Sequence, residues 1–306
     1  MLRGLKLFTS DITAIVTVAD DGGGSGVLRS ELSMPPPGDI RNCLLALSNA
    51  EPTMEKLLNY RFSSGTLKGQ SFGNLFLAAM YGISSSFDEA VSKTADVLAI
   101  TGRVLPVTNE NIWLSARFAD GSWVFGESNI YQAKLNKGCR ITSVSLMPKH
   151  PAARFESGRA IEEADILILG PGSLYTSIIP NLLVDGITDA ICRCSGIKVY
   201  VCNLMTQPGE TEYYTASDHV LALFSHSGCK LFDTCVVNSF PPPPALAEKY
   251  GVEGAKEVRC DADALKKLGV EVVRAPIATA DRHFRHNPAA LASTIFQIYR
   301  DKLFER

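Results

Sequence analysis

Two neighbouring carboxylates stand directly before a run of glycines in this 306-residue chain. Asp20 and Asp21 precede Gly22 and Gly23, and the side chains of adjacent residues on an extended chain point to opposite faces. One carboxylate can therefore reach a ligand hydroxyl or a metal ion while the other holds the loop. The glycines allow positive φ angles and a close approach of the backbone to a phosphate. An ordinary polar turn is the alternative interpretation.

A second polar group follows three consecutive prolines at positions 35–37. Asp39, Arg41 and Asn42 offer a carboxylate, a guanidinium and an amide close together. The prolines force an extended segment, so Asp39 is either a ligand contact or the N-cap of a helix that begins near Ile40. Asp20, Asp21 and Asp39 are the candidate catalytic residues. Asn74, at the start of a further predicted helix, is either a local cap or a ligand contact.

Buried parallel strands would position these groups. Residues 12–18 are rich in β-branched side chains and end at the aspartate pair, while residues 166–169 and 197–202 have the same apolar character. In an open parallel sheet, ligands bind outside the carboxyl ends of the strands. The pattern predicts that the loops following these strands meet at one edge of the sheet.

Two of these loops have features of an anion site. Gly172 and Ser173 lie between a strand and a helix that also carries Thr176, and free N–H groups at a helix N-terminus attract phosphate. A plain strand-to-helix turn without a ligand is the alternative, and the spacing is not that of a Walker loop. The other loop is amide-rich, and its candidate contacts are Asn203, Thr206 and Gln207.

Two segments depart from the strand and helix alternation. Residues 103–147 alternate in polarity around an Asp-Gly turn at 120–121, which predicts a small β-rich insertion whose Trp113 and Trp123 pack within a hairpin. Residues 240–287 form a C-terminal excursion, predicted to be a subdomain or lid. Within it, Tyr250 offers a flat contact for a base and Arg285 a guanidinium for a diphosphate, so we expect the two to close over the site as a clamp.

Composition limits the classes of function. Hydrophobic residues make up 46% of the chain, charged residues 20%, and the net charge of -2 gives no electrostatic basis for binding nucleic acid. No apolar run is long enough to span a membrane and no signal peptide is recognisable, so we expect a cytoplasmic protein. The eight cysteines include no C-x-x-C pair, and we expect reduced structural thiols and no certain metal site.

Four blocks of sequence carry a resemblance to a known family. Residues 16–42, 73–75, 170–177 and 203–211 resemble the YvcK family of bacterial gluconeogenesis factors, which is similar in fold to the CofD family of 2-phospho-L-lactate transferases. The resemblance implies one α/β domain over residues 1–306, with a Rossmann-like, doubly wound and mostly parallel sheet. An NAD-linked dehydrogenase is disfavoured because the chain has no G-x-G-x-x-G fingerprint.

The resemblance also implies a ligand. Proteins of the YvcK type bind UDP-sugars such as UDP-N-acetylglucosamine and support growth and cell shape on gluconeogenic carbon, which favours a nucleotide-sugar-binding regulator; a homodimer is left open. The expected ligand-binding residues are Asp20, Asp21, Gly22, Gly23, Asp39, Arg41, Asn42, Asn74, Gly172, Ser173, Thr176, Asn203, Thr206, Gln207, Tyr250 and Arg285.

The alternative is an enzyme similar to the 2-phospho-L-lactate transferases. Such an enzyme would move a phospholactyl group from a guanosine diphosphate donor to a deazaflavin alcohol, with Mg²⁺ neutralising charge on the phosphates. Transferases of that family continue from the aspartate pair with a Ser-Pro-Asp type of segment, whereas this chain has residues 35–42 in its place. The departure weighs against turnover, and the sequence leaves open whether the protein is an enzyme.

The amino-terminal residues suggest a missing element. Residues 1–8 have the pattern of an amphipathic helix, which in the family follows a first strand and a G-G-T-G loop that this sequence lacks. We expect the reading frame upstream to encode an apolar strand and a glycine loop.

Overall fold

The structure is a computed structural model, and it describes residues 1–50 and 52–304. Its strands are β1 (Thr13–Val16), β2 (Arg103–Pro106), β3 (Trp113–Phe118), β4 (Trp123–Phe125), β5 (Ile141–Met147), β6 (Ile166–Leu169), β7 (Ile197–Val201), β8 (Thr234–Asn238), β9 (Glu271–Ala275), β10 (Ala278–Ala280) and β11 (Phe284–His286).

Helices occupy most of the connections between these strands. They are α1 (Leu2–Leu5), α2 (Gly23–Leu32), α3 (Gly38–Leu47), α4 (Pro52–Asn59), α5 (Phe72–Gly82), α6 (Phe87–Val97), α7 (Glu127–Lys137), α8 (Phe155–Glu162), α9 (Ile179–Leu182), α10 (Ile187–Arg193), α11 (Ala216–Ser227), α12 (Pro244–Val252), α13 (Ala262–Lys267) and α14 (Pro288–Phe304). A π-helical turn, Leu174–Ile178, leads directly into α9.

Parallel strand pairing confirms the predicted α/β class. β6, β7, β8 and β9 form a four-stranded parallel sheet in that order, and β1 pairs in parallel with β2. Within the described part of the chain, hydrogen bonding does not join these two parallel sheets. The antiparallel strands lie in a three-stranded sheet of order β4, β3, β5 and in the β10–β11 hairpin.

Both faces of the four-stranded sheet are buried, as expected for a doubly wound fold. On β7, Tyr200 belongs to the main core, whereas its neighbours Val199 and Val201 pack in a second cluster with Leu291 and Ile295 of α14. The alternation follows from strand geometry, which sends successive side chains to opposite faces. None of the helices that the structure describes is long and apolar enough to cross a membrane.

Strand pairing shows that residues 103–147 and 240–287, the two segments predicted to depart from the strand and helix alternation, both contain strands of the parallel sheets. Arg103–Pro106, at the start of the predicted 103–147 insertion, is strand β2, and its antiparallel strands begin only at Trp113. The same region contains α7, a helix that the alternating pattern did not predict. Within 240–287, β9 is a strand of the four-stranded sheet. These assignments depend on which strands pair across long sequence distances. A local sequence pattern does not contain that information.

A side chain caps the start of α6. The hydroxyl of Ser86 accepts the backbone N–H of Glu89 there. The N-cap alternative for Asp39 is wrong, because α3 already begins at Gly38 and Asp39 lies within its first turn. The side chain of Asp39 is therefore not used to cap this helix.

Candidate functional site

The aspartate loop connects the carboxyl end of β1 to α2. Asp20 Oδ1 accepts the backbone N–H of Gly22 at 2.8 Å, which closes a short turn. Its second oxygen, Oδ2, faces the start of α3, where a Cβ on Gly38 would lie only 3.1 Å from it. The small residue at position 38 therefore lets the helix that carries Asp39 approach Asp20 closely.

Asp21 points away from Asp20 and holds a different element. Its Oδ1 accepts the backbone N–H of Ser128 at 2.8 Å, in the first turn of α7. Gly126, with φ of 86°, precedes this helix and packs directly against the Asp21 carboxylate. The structure thus places the two aspartates in different surroundings. Asp21 anchors α7, and Asp20 stays beside the start of α3.

Glu127 brings a third carboxyl group to the aspartate loop. Burial raises its pKa to about 8, the charges of Asp20 and Asp39 add to this effect, and a hydrogen bond from the Thr176 hydroxyl opposes it. Burial also raises the pKa of Asp39, and the charge of Asp20 raises it further. Asp20, Asp39 and Glu127, the carboxylate cluster, are therefore partly buried side by side, and the negative charge of each disfavours ionisation of the others.

Sequence analysis missed Glu127, although a signal was present. Glu127 follows Gly126 directly after an apolar strand, and the turn after β6 likewise has glycine before its first polar residue, Ser173. The place of Glu127 within the predicted β-rich insertion, and not at the end of a predicted parallel strand, hides this signal.

The carboxylate cluster can move protons or meet a polar ligand. A carboxyl group whose pKa lies near neutrality can donate or accept a proton at physiological pH. No set of three carboxylate, histidine or cysteine side chains in the described ranges is arranged to ligate a metal ion. Because Mg²⁺ is commonly held by one or two carboxylates together with substrate phosphates, a bound nucleotide would have to complete any magnesium site here.

The glycine turn after β6 differs from the predicted anion site. Glu210 Oε1 accepts the backbone N–H of Tyr175 at 3.1 Å, and the Glu210 carboxylate also accepts the N–H of Thr176. A carboxylate of the chain itself therefore occupies part of the helix N-terminus that we expected to hold a phosphate. Gly172 and Ser173, which we predicted to contact the anion, precede Tyr175 and Thr176 in the sequence.

Glu210 is buried close to the ammonium group of a lysine. Its Oε2 lies 3.9 Å from Nζ of Lys134 on α7, and both side chains are buried. Burial raises the pKa of Glu210, while Lys134 and the two backbone N–H groups oppose the rise. α7 therefore contacts three loops, since its start meets the aspartate loop and Thr176 after β6, and its third turn meets Glu210 in the loop after β7.

The amide-rich loop after β7 joins the glycine turn. Gln207 Nε2 donates to Ser173 Oγ at 2.8 Å, and Gln207 Oε1 has no partner among the described residues. Thr206 is less available than predicted, because its buried hydroxyl accepts the backbone N–H of Lys256 at 2.9 Å. Asn203 lies at the start of this loop, two residues after the end of β7.

The remaining predicted polar residues lie on α3 and α5, which pack together. Arg41 donates to the hydroxyl of Ser71 and, at 2.7 Å, to Oδ1 of Asn42. Asn74 is only 4% exposed, and its Oδ1 has no partner among the described residues. A buried acceptor without a partner costs free energy, so Asn74 is a place where a ligand donor or a water would be stabilised.

The predicted clamp residues belong to one packed unit. The backbone N–H of Phe284 donates to the Tyr250 hydroxyl at 3.1 Å, and Arg285 is exposed on the same strand, β11. His286 Nε2 lies 3.3 Å from the carbonyl oxygen of Cys202, and burial lowers the pKa of His286 to about 4. The unit therefore sits beside the carboxyl end of β7, and the roles of Tyr250 and Arg285 in binding stay predictions.

A buried arginine ties the insertion to the aspartate loop. Arg29 of α2 donates to Asn111 Oδ1 and to the carbonyl oxygen of Ile112, each at 2.5 Å, and its guanidinium lies 3.6 Å from the ring centre of Trp113. One face of Trp113 is therefore covered by a guanidinium of α2, while Trp113 and Trp123 are both exposed rather than buried within the hairpin as we predicted.

Comparison with known proteins decides the family. The sequence model of the family described as 2-phospho-L-lactate transferase CofD matches residues 1–278. The chain belongs to the CofD family. This CofD-family chain is also 48% identical over 303 residues to the gluconeogenesis factor of Bacillus subtilis, a match that covers 98% of this chain and 94% of that protein.

Other relatives support the same assignment. The gluconeogenesis factor of Halalkalibacterium halodurans is 46% identical over 299 residues, covering 97% of this CofD-family chain and 92% of that protein. A crystal structure of a UPF0052 family member from Bacillus halodurans superposes with a TM-score of 0.92 at 46% identity, covering 96% of this chain and 94% of that one. The resemblance inferred from the four sequence blocks is confirmed, as is the Rossmann-like fold.

Proposed function

We propose that this protein is a gluconeogenesis factor that binds a nucleotide sugar, UDP-N-acetylglucosamine or a close relative, and supports cell shape during growth on gluconeogenic carbon. The relatives named gluconeogenesis factor support the general role. The proposed ligand rests on the chemistry of the loops at the carboxyl edge of the parallel strands.

One observation carries the proposal. α7 joins the three loops, through Asp21 and Ser128, through Glu127 and Thr176, and through Lys134 and Glu210. The resulting edge combines a carboxylate, which accepts sugar hydroxyls, with amides and with glycine backbone that admits a phosphate. A nucleotide sugar has each of these complementary groups, whereas a free sugar or a free phosphate has only some of them.

Titration calorimetry with a panel of ligands tests the proposal. We expect UDP-N-acetylglucosamine and UDP-glucose to bind more tightly than UDP, GDP or a deazaflavin alcohol, with and without Mg²⁺. A wild-type protein that binds none of the UDP-sugars would contradict the proposed ligand. Complementation of a strain lacking its own gluconeogenesis factor, scored by cell shape on a gluconeogenic carbon source, tests the cellular role separately.

The clamp provides a sharper test of the binding pose. We expect Arg285→Ala to weaken UDP-sugar binding by about 1.5 to 3 kcal/mol, the range for a hydrogen bond to a charged group. Tyr250→Ala should cost a similar amount through lost stacking, and Tyr250→Phe much less, because it removes only the bond from Phe284. Arg300→Ala, on the exposed face of α14, is the control. Wild-type affinity in both alanine variants would remove the clamp from the site.

Gly172 tests whether the glycine turn meets phosphate. A Cβ added there would lie 3.4 Å from Ser177 Cβ and 3.6 Å from Ile178 Cγ1, which are ordinary contacts, so Gly172→Ala should fold normally. If a phosphate packs against this backbone, the added methyl should weaken calorimetric binding about tenfold or more while the melting temperature stays unchanged, in line with the need for close approach at such glycines. Unchanged affinity would place the phosphate elsewhere.

A second candidate function is phospholactyl transfer, which the raised pKa of Glu127 beside Asp20 and Asp39 favours. A carboxyl group whose pKa lies near neutrality is suited, in its ionised form, to accept the proton of an attacking hydroxyl. Incubation with a phospholactyl guanosine diphosphate donor, a deazaflavin alcohol and Mg²⁺ should then yield the phospholactyl ester of the deazaflavin and release guanosine monophosphate. Its absence, together with UDP-sugar binding, would favour the regulator.

A further inference from the structure

Two thiols far from the candidate site lie close to contact. The Sγ atoms of Cys192 and Cys229 are 3.3 Å apart, at the end of α10 and just after α11. Cys192 is exposed and Cys229 is partly buried, and both are free thiols in the structure. An oxidant in solution can therefore reach the first thiol while the second lies ready beside it.

The backbone on both sides of this pair is held in place. Directly after Cys192, the thiol of Cys194 donates to the carbonyl oxygen of Ala164 at 3.4 Å. The hydroxyl of Ser227 donates to the carbonyl oxygen of Cys229 at 2.9 Å, and Gly228, with φ of 71°, ends α11 in the left-handed conformation. A disulfide of about 2.05 Å requires the two sulfur atoms to approach by only about 1.3 Å.

We propose that Cys192 and Cys229 are a redox modification site that forms an intramolecular disulfide when the protein meets a hydroperoxide. The Cys192 thiolate attacks the terminal peroxide oxygen, so an S–O bond forms, the O–O bond breaks and an alcohol or water leaves. Cys229 then attacks the sulfur of the resulting sulfenic acid, releasing water and forming the S–S bond. Two thiols and one hydroperoxide thus become one disulfide, one alcohol or water, and one water.

The surroundings explain the order of attack. Burial raises the pKa of Cys229, and the neighbouring Cys192 raises it further. A smaller fraction of Cys229 than of an ordinary cysteine is therefore thiolate at neutral pH. A second close pair, Cys202 and Cys235, also share a hydrogen bond, but both are buried in the core. Solvent exposure therefore distinguishes the reactive pair from the protected one.

The pair lies opposite the candidate site. α10 leads into the amino end of β7 and Cys229 precedes the amino end of β8, whereas the site loops follow the carboxyl ends of the strands. The disulfide would tie these two amino-terminal connections together and restrict the unfolded chain, which raises thermal stability. We expect the nucleotide-sugar affinity of the oxidised protein to stay within about twofold of the reduced protein, since a tenfold change would need about 1.4 kcal/mol of coupling.

Limited oxidation with hydrogen peroxide tests the assignment. The expected product is a monomeric chain that has lost two of its eight titratable thiols, yields a linked Cys192–Cys229 peptide in a non-reducing digest and melts at a higher temperature. Thiol reductant should reverse all three changes. Cys192→Ser and Cys229→Ser should each abolish the linked peptide, while Cys139→Ser, at a partly buried cysteine elsewhere, should keep it.

Other oxidation products would overturn the proposal. A disulfide between the Cys192 thiols of two chains would show that Cys229 does not resolve the sulfenic acid. Sulfinic acid at Cys192 in the wild type, without the linked peptide, would show the same. Because the readout is thiol chemistry, it does not depend on whether the protein binds UDP-sugars.

Discussion

Replacing Glu127 with glutamine is expected to stabilise the folded protein at alkaline pH and to flatten the pH dependence of its unfolding. The pKa of Glu127 is about 8 in the folded protein against an ordinary value of 4.5. Between these values the folded state keeps a proton that the unfolded state releases, so the free energy of unfolding falls as pH rises. The loss is complete above the folded pKa, and glutamine removes it because an amide does not ionise.

Urea unfolding at about pH 6 and about pH 9 measures this effect. One pKa unit corresponds to about 1.4 kcal/mol, so we expect Glu127→Gln to gain roughly 2 to 4 kcal/mol over the wild type at the higher pH. A smaller gain should remain at about pH 6, because the unfolded chain already ionises Glu127 above its ordinary pKa of 4.5 while the folded protein keeps the proton. Glu31→Gln, at an exposed glutamate on α2, is the matched control. Wild-type and Glu127→Gln curves that stay parallel across the range would show that this carboxyl group is ionised throughout.

The two adjacent aspartates are expected to differ in what their loss changes. Asp21→Ala removes the acceptor for Ser128 N–H at the start of α7, a loss similar to that of an N-cap, and should lower the free energy of unfolding by about 1 kcal/mol. Asp20→Asn keeps an oxygen for the turn to Gly22 but removes the charge. If Asp20 binds a ligand hydroxyl, its affinity should fall roughly 10-fold to 100-fold, as for a charge-assisted hydrogen bond.

Thermal melting and calorimetric titration of both variants separate the two roles. Asp20→Asn should bind weakly at an unchanged melting temperature, and it should also lower the pKa of Glu127, because one of the neighbouring negative charges is gone. The ordinary polar turn becomes the correct interpretation if both variants lose stability to a similar extent and neither loses affinity.

The sequence by itself determined many of the strands and helices and the order of the polar loops along the chain. Apolar runs of strand length placed Asp20, Gly172 and Asn203 just beyond strands, and the Asp-Gly pair at 120–121 predicted the β3–β4 hairpin correctly. These features depend on backbone preferences and hydrogen bonds within a few residues, so a single sequence contains the information that specifies them.

Only the tertiary structure decided which groups share a charge environment. Ser128 and Asp21 are 107 positions apart, yet their hydrogen bond brings Glu127 to the aspartate loop, and no local pattern predicts that neighbour. In the same way, Glu210 accepts the backbone N–H groups of Tyr175 and Thr176. Strand β2, which the local pattern assigned to the insertion, pairs in parallel with β1. Burial and Coulomb interactions depend on distance in space, and the raised pKa of Glu127 therefore exists only once the chain is folded.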